Sequence, residues 1–433
     1  MKKLIALTSV LSSALFTGHV SAANLNEIYQ LSLSNDAELA AAKAKREAGQ
    51  YQTNIARGAL LPQVSIGADQ ISYDIDTELG DYDYDTFSYN ATISQTLFNL
   101  NSWYNYKAAA AGGNASDLEY MLSEQQLILR SAEAYFNVLR AKENLETAQA
   151  EEKAVKRQLE QTQQRFEVGL IAITEVHEAE ASYDLSYANL IGQEAALDIS
   201  YEALEQITGQ RFENIQPLKS NIQFSVPEKS VDEWVEAGLG KYAGILLAQE
   251  GVNAAEYTRK AGWSNYAPQI NAQYSYTDGE SFSSTVGSVY DTTNSVLAFS
   301  ATIPLFAGGS NYAQAKKAAA ESTQASANLD LQQRTVKNNI RSLYRKVQTD
   351  VLTVKARKRA TISSQSALEA TETGYQVGTR NIVEVLNAQR NLFSAQRDYA
   401  NARYDYIIDL LNLKFFAGSL AESDIQALNA WLK

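Results

Sequence analysis

VGLIAITEVHEA, residues 168–179, returns as VGTRNIVEVLNA at residues 377–388, an offset of 209 with no gap and six identities. A near-copy half a chain away implies two domains, a repeat array or one duplicated unit, and the flanking sequence decides which. Only Pro62, Pro217, Pro227, Pro268 and Pro304 interrupt the chain. Upstream of each copy, at about 100–167 and 310–376, nothing stops a helix except Gly112-Gly113. Such a helix is about 100 Å long. Leu145, Ala148, Val155, Leu159, Thr162 and Phe166 keep a heptad seam, with Glu151, Glu152, Lys153, Lys156 and Arg157 on the other face; that is coiled-coil patterning. Gly169 and Gly378 fall where each long helix must turn, and glycine tolerates the left-handed conformation of a helix C-terminus. Return helices are expected at about 173–208 and 381–414.

Between helices the period changes to two. Phe87, Tyr89, Ala91, Ile93 and Leu97 alternate with polar residues in FSYNATISQTLF (87–98). Leu297, Phe299, Ala301, Ile303 and Leu305 do so in SVLAFSATIPLF (295–306). QVSIGADQISY (63–73) and the 269–277 stretch alternate less cleanly. This predicts four strands of outer-membrane barrel type, although each segment alone also suits a soluble antiparallel sheet. DIDTELGDYDYDT (74–86), with six acids, and the polar 277–294 are expected to be exterior hairpin loops. Gly80 falls one place late for an EF-hand loop. Phe98, Trp103, Tyr104, Tyr106, Phe306 and Tyr312 crowd the opposite strand ends, as an interfacial aromatic belt requires.

Pro62-Gln63 matches Pro268-Gln269, and Leu97-Phe98 matches Leu305-Phe306, so the duplication covers the whole chain. The expected organisation is a secretory signal at 1–22, a first repeat at 23–208 and a linker at 209–229. A second repeat follows at 230–414, then a C-terminal segment at 415–433. Lys2 and Lys3, an apolar run and a small-residue site at Val20 and Ala22 make the signal too short to span a membrane. With no cysteine, thiolate metal or redox chemistry is excluded, and His177 alone remains beyond the signal, so neither a metal site nor a cofactor is expected. A net charge of −13 argues against nucleic acid as a partner. No apolar run suffices for a helical span, so a membrane crossing must use strands. Four strands cannot close a barrel, and an open edge is not viable in lipid, so insertion requires several chains.

NLNEIYQLSLSNDAEL, LLPQVSIGAD, RFEVGLIAITEV, QITG, GYQVGTRNIVEVLNA and YANARYDYIIDLLNLK together resemble the TolC family of outer-membrane efflux ducts, from about Asn24 to Leu428. The resemblance implies a homotrimer in outer-membrane lipid, its 12-stranded barrel continuing into an α-helical periplasmic tunnel. It also implies a periplasmic adaptor and an inner-membrane pump or secretion ATPase as partners, exporting drugs, bile salts or proteins. It further implies a gate at the elbows. Arg380 would reach Thr174 and Glu175 of a partner subunit, Tyr375 would bond Glu175 within one subunit, Glu372 would link to Arg403, and Gln158 would lie near Tyr375. Glu384 and Asn387, three apart on one helix face, match two aspartates that form cation-binding rings at the constriction; here the second ring is neutral. No nucleophile constellation or phosphate loop is present, so no enzymatic activity is expected. The competing reading is a periplasmic coiled-coil adaptor without a pore.

Overall fold

The computed structural model describes residues 22–77, 80–283 and 288–433; residues 1–21 of the expected signal, and the short stretches 78–79 and 284–287, lie outside the described residues. The chain runs α1 (Leu25–Asn35), α2 (Ala37–Gly58), β1 (Gln63–Thr77), β2 (Gly80–Phe98), α3 (Leu100–Glu167) and α4 (Ile173–Thr208). The same order then repeats as α5 (Val231–Lys241), α6 (Ala243–Ser264), β3 (Gln269–Ser283), β4 (Ser288–Thr302), α7 (Ser310–Gln376) and α8 (Ile382–Phe416), with α9 (Glu422–Asn429) appended. The long helices α3 and α7 have 68 and 67 residues. Gly112-Gly113 does not break α3. A Cβ on Gly113 would lie 2.7 Å from Thr53 Oγ1, and one on Gly49 would lie 2.7 Å from Ser116 Cβ. These glycines are absent of side chain because α2 and α3 pack closely there, which offsets their helix cost of about 1 kcal/mol each.

The sheet is antiparallel in the order β1-β2-β3-β4, which leaves β1 and β4 as its two edges within the chain. One cross-strand row joins Val64, Ile93, Tyr274 and Leu297, and the next joins Ile66, Ala91, Tyr276 and Ser295. On the other face the rows are Ser65, Thr92, Ser275 and Val296, then Gly67, Asn90, Thr277 and Asn294. The apolar face is exposed: Ile66 is 82% exposed, Leu297 63% and Phe299 69%, whereas from Thr86 to Thr96 the polar residues of β2 are the more sheltered set. A sheet folding in water would put these faces the other way round. A bulge between Thr96 and Phe98 brings Phe98 opposite Ile270, onto the apolar face. From Phe98 to Phe87 that face covers about 36 Å of strand, which a tilt of roughly 40° projects onto about 28 Å, close to the roughly 25 Å height of an outer-membrane apolar band.

The strands run beyond their expected ends. The acidic 74–86 stretch is not a long loop: β1 and β2 stay paired to Thr77 and Gly80. Likewise β3 and β4 stay paired to Ser283 and Ser288. Aromatic pairing holds the extension together. Tyr73 stacks on Tyr84 directly opposite, at 4.9 Å, and Tyr84 stacks on Phe282 of β3 at 4.2 Å. The acids fall on the other face, where Asp74 opposes Asp83 and Asp76 opposes Asp81, exposed and hydrated at the hairpin end. β4 stops at Thr302 because Pro304 has no N–H to donate to a ladder.

The main core lies between the sheet and the elbows. Tyr135 and Phe136 of α3 pack there with Leu25 and Ile28 of α1, Tyr404 and Ile407 of α8, and Ile425 of α9. The linker and the C-terminal segment close it through bridges between Ala23 and Ile215 and between Leu218 and Leu432, while Tyr135 donates to the Gln216 carbonyl at 2.8 Å. A second cluster, Val155, Leu159, Ala179, Leu368, Ile382, Val385, Leu386 and Leu392, joins the two helical hairpins near the elbows. Phe166, the last expected seam residue, is instead exposed. Among the described residues no helix is long and apolar enough to cross a membrane.

Candidate gate at the helical elbows

Both long helices end in the same way. Gly169 and Gly378 adopt φ of 77° and 80°. In the first elbow Gly169 N–H donates to the Phe166 carbonyl and Leu170 N–H to the Arg165 carbonyl. In the second, Gly378 donates to Tyr375 and Thr379 to Gly374. Each is a Schellman motif, satisfying the carbonyls that a helix end leaves open. The restart differs between copies. Asn381 caps α8 by accepting from the Glu384 amide at 3.0 Å, whereas Ala172 gives α4 no side-chain cap. Asn381 followed three places later by Glu384 is a cap signal that helix periodicity alone does not show. Nor does periodicity show Gly374, where a Cβ would lie 2.7 Å from Arg380 Cγ.

A cleft of about 670 Å³ lies between α3 and the α7–α8 hairpin and gathers Gln158, Glu372 and Tyr375 with Gln389, Arg157 and Arg165. The Tyr375 ring sits under the Arg165 guanidinium at 4.8 Å. Its hydroxyl is buried and makes no hydrogen bond, so the expected bond to Glu175 within one chain does not form. Gln389, another buried lining residue, donates to Glu372 at 3.4 Å and leaves its own Oε1 unpartnered. The expected Glu372–Arg403 link is also corrected. Arg403 pairs with Glu143 of α3, which accepts from Tyr404 as well at 2.7 Å. The hairpin register opposes Glu372 to Gln389, and Arg403 lies fourteen residues further along α8, about 21 Å at 1.5 Å per residue.

Arg380 lies at the exposed tip. In the single chain its guanidinium pairs with Glu384 one turn on, and that cation holds the Glu384 carboxyl below the usual carboxylate range. Thr174 is exposed and Glu175 half-buried at the start of α4, while Asn387 is exposed one turn beyond Glu384. His177 lies on the surface with Nδ1 3.5 Å from the Glu180 carboxylate. The structure therefore brings Gln158, Glu372 and Tyr375 to one cleft, leaves Arg380, Glu384 and Asn387 beside it on the tip, and puts Arg403 elsewhere. No group of histidines and carboxylates among the described residues could hold a metal ion.

Comparison with known proteins agrees with the duplicated fold. The outer membrane efflux protein family matches twice, over residues 28–210 and 244–419, once in each repeat. Outer membrane protein TolC of Vibrio cholerae is 36% identical, with 100% of this chain and 99% of that protein covered. The alkaline protease secretion protein AprF of Pseudomonas aeruginosa is 27% identical, covering 93% of this chain and 86% of the relative. Among solved structures, the Campylobacter jejuni CmeC outer membrane channel superposes with a TM-score of 0.81 at 18% identity, over 95% of this chain and 90% of its own, and shares the fold. These relatives are channel and secretion proteins, and no enzymatic family is indicated. Inverted sheet polarity, duplicated elbows and full-length similarity converge on one conclusion: this chain belongs to the outer membrane efflux protein family and is an exit duct of the outer membrane for efflux and type I secretion.

Proposed function

We propose that three copies of this chain, four strands each, close a 12-stranded barrel whose lumen continues between the helical hairpins into a periplasmic tunnel. The carrying observation is that β1 and β4 are edges of a sheet whose exposed face is apolar. In lipid those edge N–H and C=O groups need partners, and a second copy supplies them. The mouth of the tunnel docks a periplasmic adaptor, which connects it to an inner-membrane pump or secretion ATPase. Drugs, bile salts and proteins are the cargo classes, the last supported by the similarity to protease secretion proteins.

The elbows form the gate. Arg380 has no cationic counterpart in the first copy, where Ile171 stands, so the two elbows are complementary. In the trimer Arg380 reaches Thr174 and Glu175 of the partner subunit; in the isolated chain Glu384 occupies the guanidinium in their place. An exposed ion pair is worth at most about 1 kcal/mol, and three acting together bias the closed state by about a hundredfold. Arg380→Ala and Glu175→Gln are therefore expected to raise single-channel conductance in planar bilayers and to increase antibiotic leakage. Unchanged conductance in both variants contradicts the gate.

A further inference from the structure

The α7–α8 hairpin crosses the main core with a group of charged side chains that neither gate nor barrel uses. Asp409 of α8 is only 7% exposed, and Lys346 of α7 donates to it at 2.9 Å. Asp350, one turn further along α7, lies against Asp409, and its Oδ2 is buried without a hydrogen-bond partner. From α3, Glu133 approaches the same place and accepts from Asn412 at 3.1 Å, while Arg140 pairs with Asp405 at 2.7 Å. The nearby Tyr406 hydroxyl is committed to the Ser225 carbonyl at 2.7 Å. Four carboxyl groups thus face two cations, and each cation is already engaged. Two carboxylates accept but do not donate, so the Asp350–Asp409 contact becomes a hydrogen bond only when one oxygen carries a proton.

We propose that Asp350 and Asp409 share one proton across the α7–α8 seam, and that this proton latches the hairpin within the main core. Burial, and then the charge of Asp409, push Asp350 up to about 7, with Lys346 opposing them; burial also raises Glu133. The proton comes from water and returns to water, and no other reactant is involved. Folding raises the Asp350 value above the ordinary aspartate value of about 3.9. The stabilisation is therefore complete below about pH 4 and is lost as pH rises through the folded value near 7. Above that pH two negative groups face each other with Lys346 alone between the helices, and the seam loosens.

The test is thermal unfolding of the purified full-length protein between pH 5 and 8.5, with and without substitutions in the seam. Wild type is expected to lose melting temperature from pH 5 to about 7 and to level off above it, and Asp350→Asn to flatten that loss while matching or exceeding wild type at pH 8. Lys346→Met keeps both carboxyls but removes the cation that opposes protonation. Its midpoint is expected to move upward by a readable fraction of a pH unit, a shift that loss of a merely structural contact does not produce. If Asp350→Asn does not fold, the Lys346→Met midpoint decides alone. An unshifted midpoint, or an Asp350→Asn protein with the wild-type pH dependence, overturns the latch.

Discussion

At the scale of single residues, the two elbows differ where their chemistry differs. Gly169 and Gly378 perform the same backbone task, and the turn was legible because few residues other than glycine accept that conformation. The polar contacts were less legible. Glu372 and Arg403 were paired by resemblance, but the register of an antiparallel hairpin decides which side chains meet, and it gives Glu372 to Gln389. The Arg380–Glu384 pair has a consequence for ion selection. With Asn387 neutral and Arg380 competing for Glu384, the proposed constriction carries at most one carboxylate per chain at this level. Block by hexamminecobalt is expected to persist through Glu384 alone. Glu384→Gln should raise the blocking concentration by at least about tenfold, equivalent to roughly 1.4 kcal/mol. Bilayer recordings in which block is unchanged would remove Glu384 from the account.

At the scale of elements, the long helices were readable from 154 proline-free positions between Pro62 and Pro217 together with a heptad seam. The strand ends were not. An aspartate at every second position from Asp81 to Asp85 looks like loop composition, yet it leaves Tyr82 and Tyr84 on one face to stack across the sheet. Period two outweighs composition there, because the acids point into water and only the tyrosines must pack. The same alternation makes neighbouring residues of β4 unequal. Leu297 lies in the apolar row with Tyr274, and Ala298 opposite Gln273 on the other face. Leu297→Arg is expected to destabilise the folded, membrane-inserted protein by about 2–4 kcal/mol, the cost of a cation on the lipid face near the midplane. Ala298→Arg should cost far less. Urea unfolding from lipid vesicles measures both, and equal costs would contradict the assignment of faces.

At the scale of the whole molecule, a fold of two equivalent halves explains why one chain supplies two unlike elbows and four strands. The equatorial packing of α1, α9 and the linker was not anticipated in its contacts. It joins segments from the start, middle and end of the chain, whose apolar residues show no long periodic run. The chain has no cysteine, so the proposed insertion of the sheet as part of a barrel can be measured directly. Single cysteines placed from 292 to 301 along β4 can be labelled in intact outer membranes with a membrane-impermeant, water-soluble maleimide. Alternation is expected, with the Asn294, Val296, Ala298 and Ser300 positions labelled from the lumen and the Leu297, Phe299 and Ala301 positions protected by lipid. Uniform labelling along β4 would contradict it.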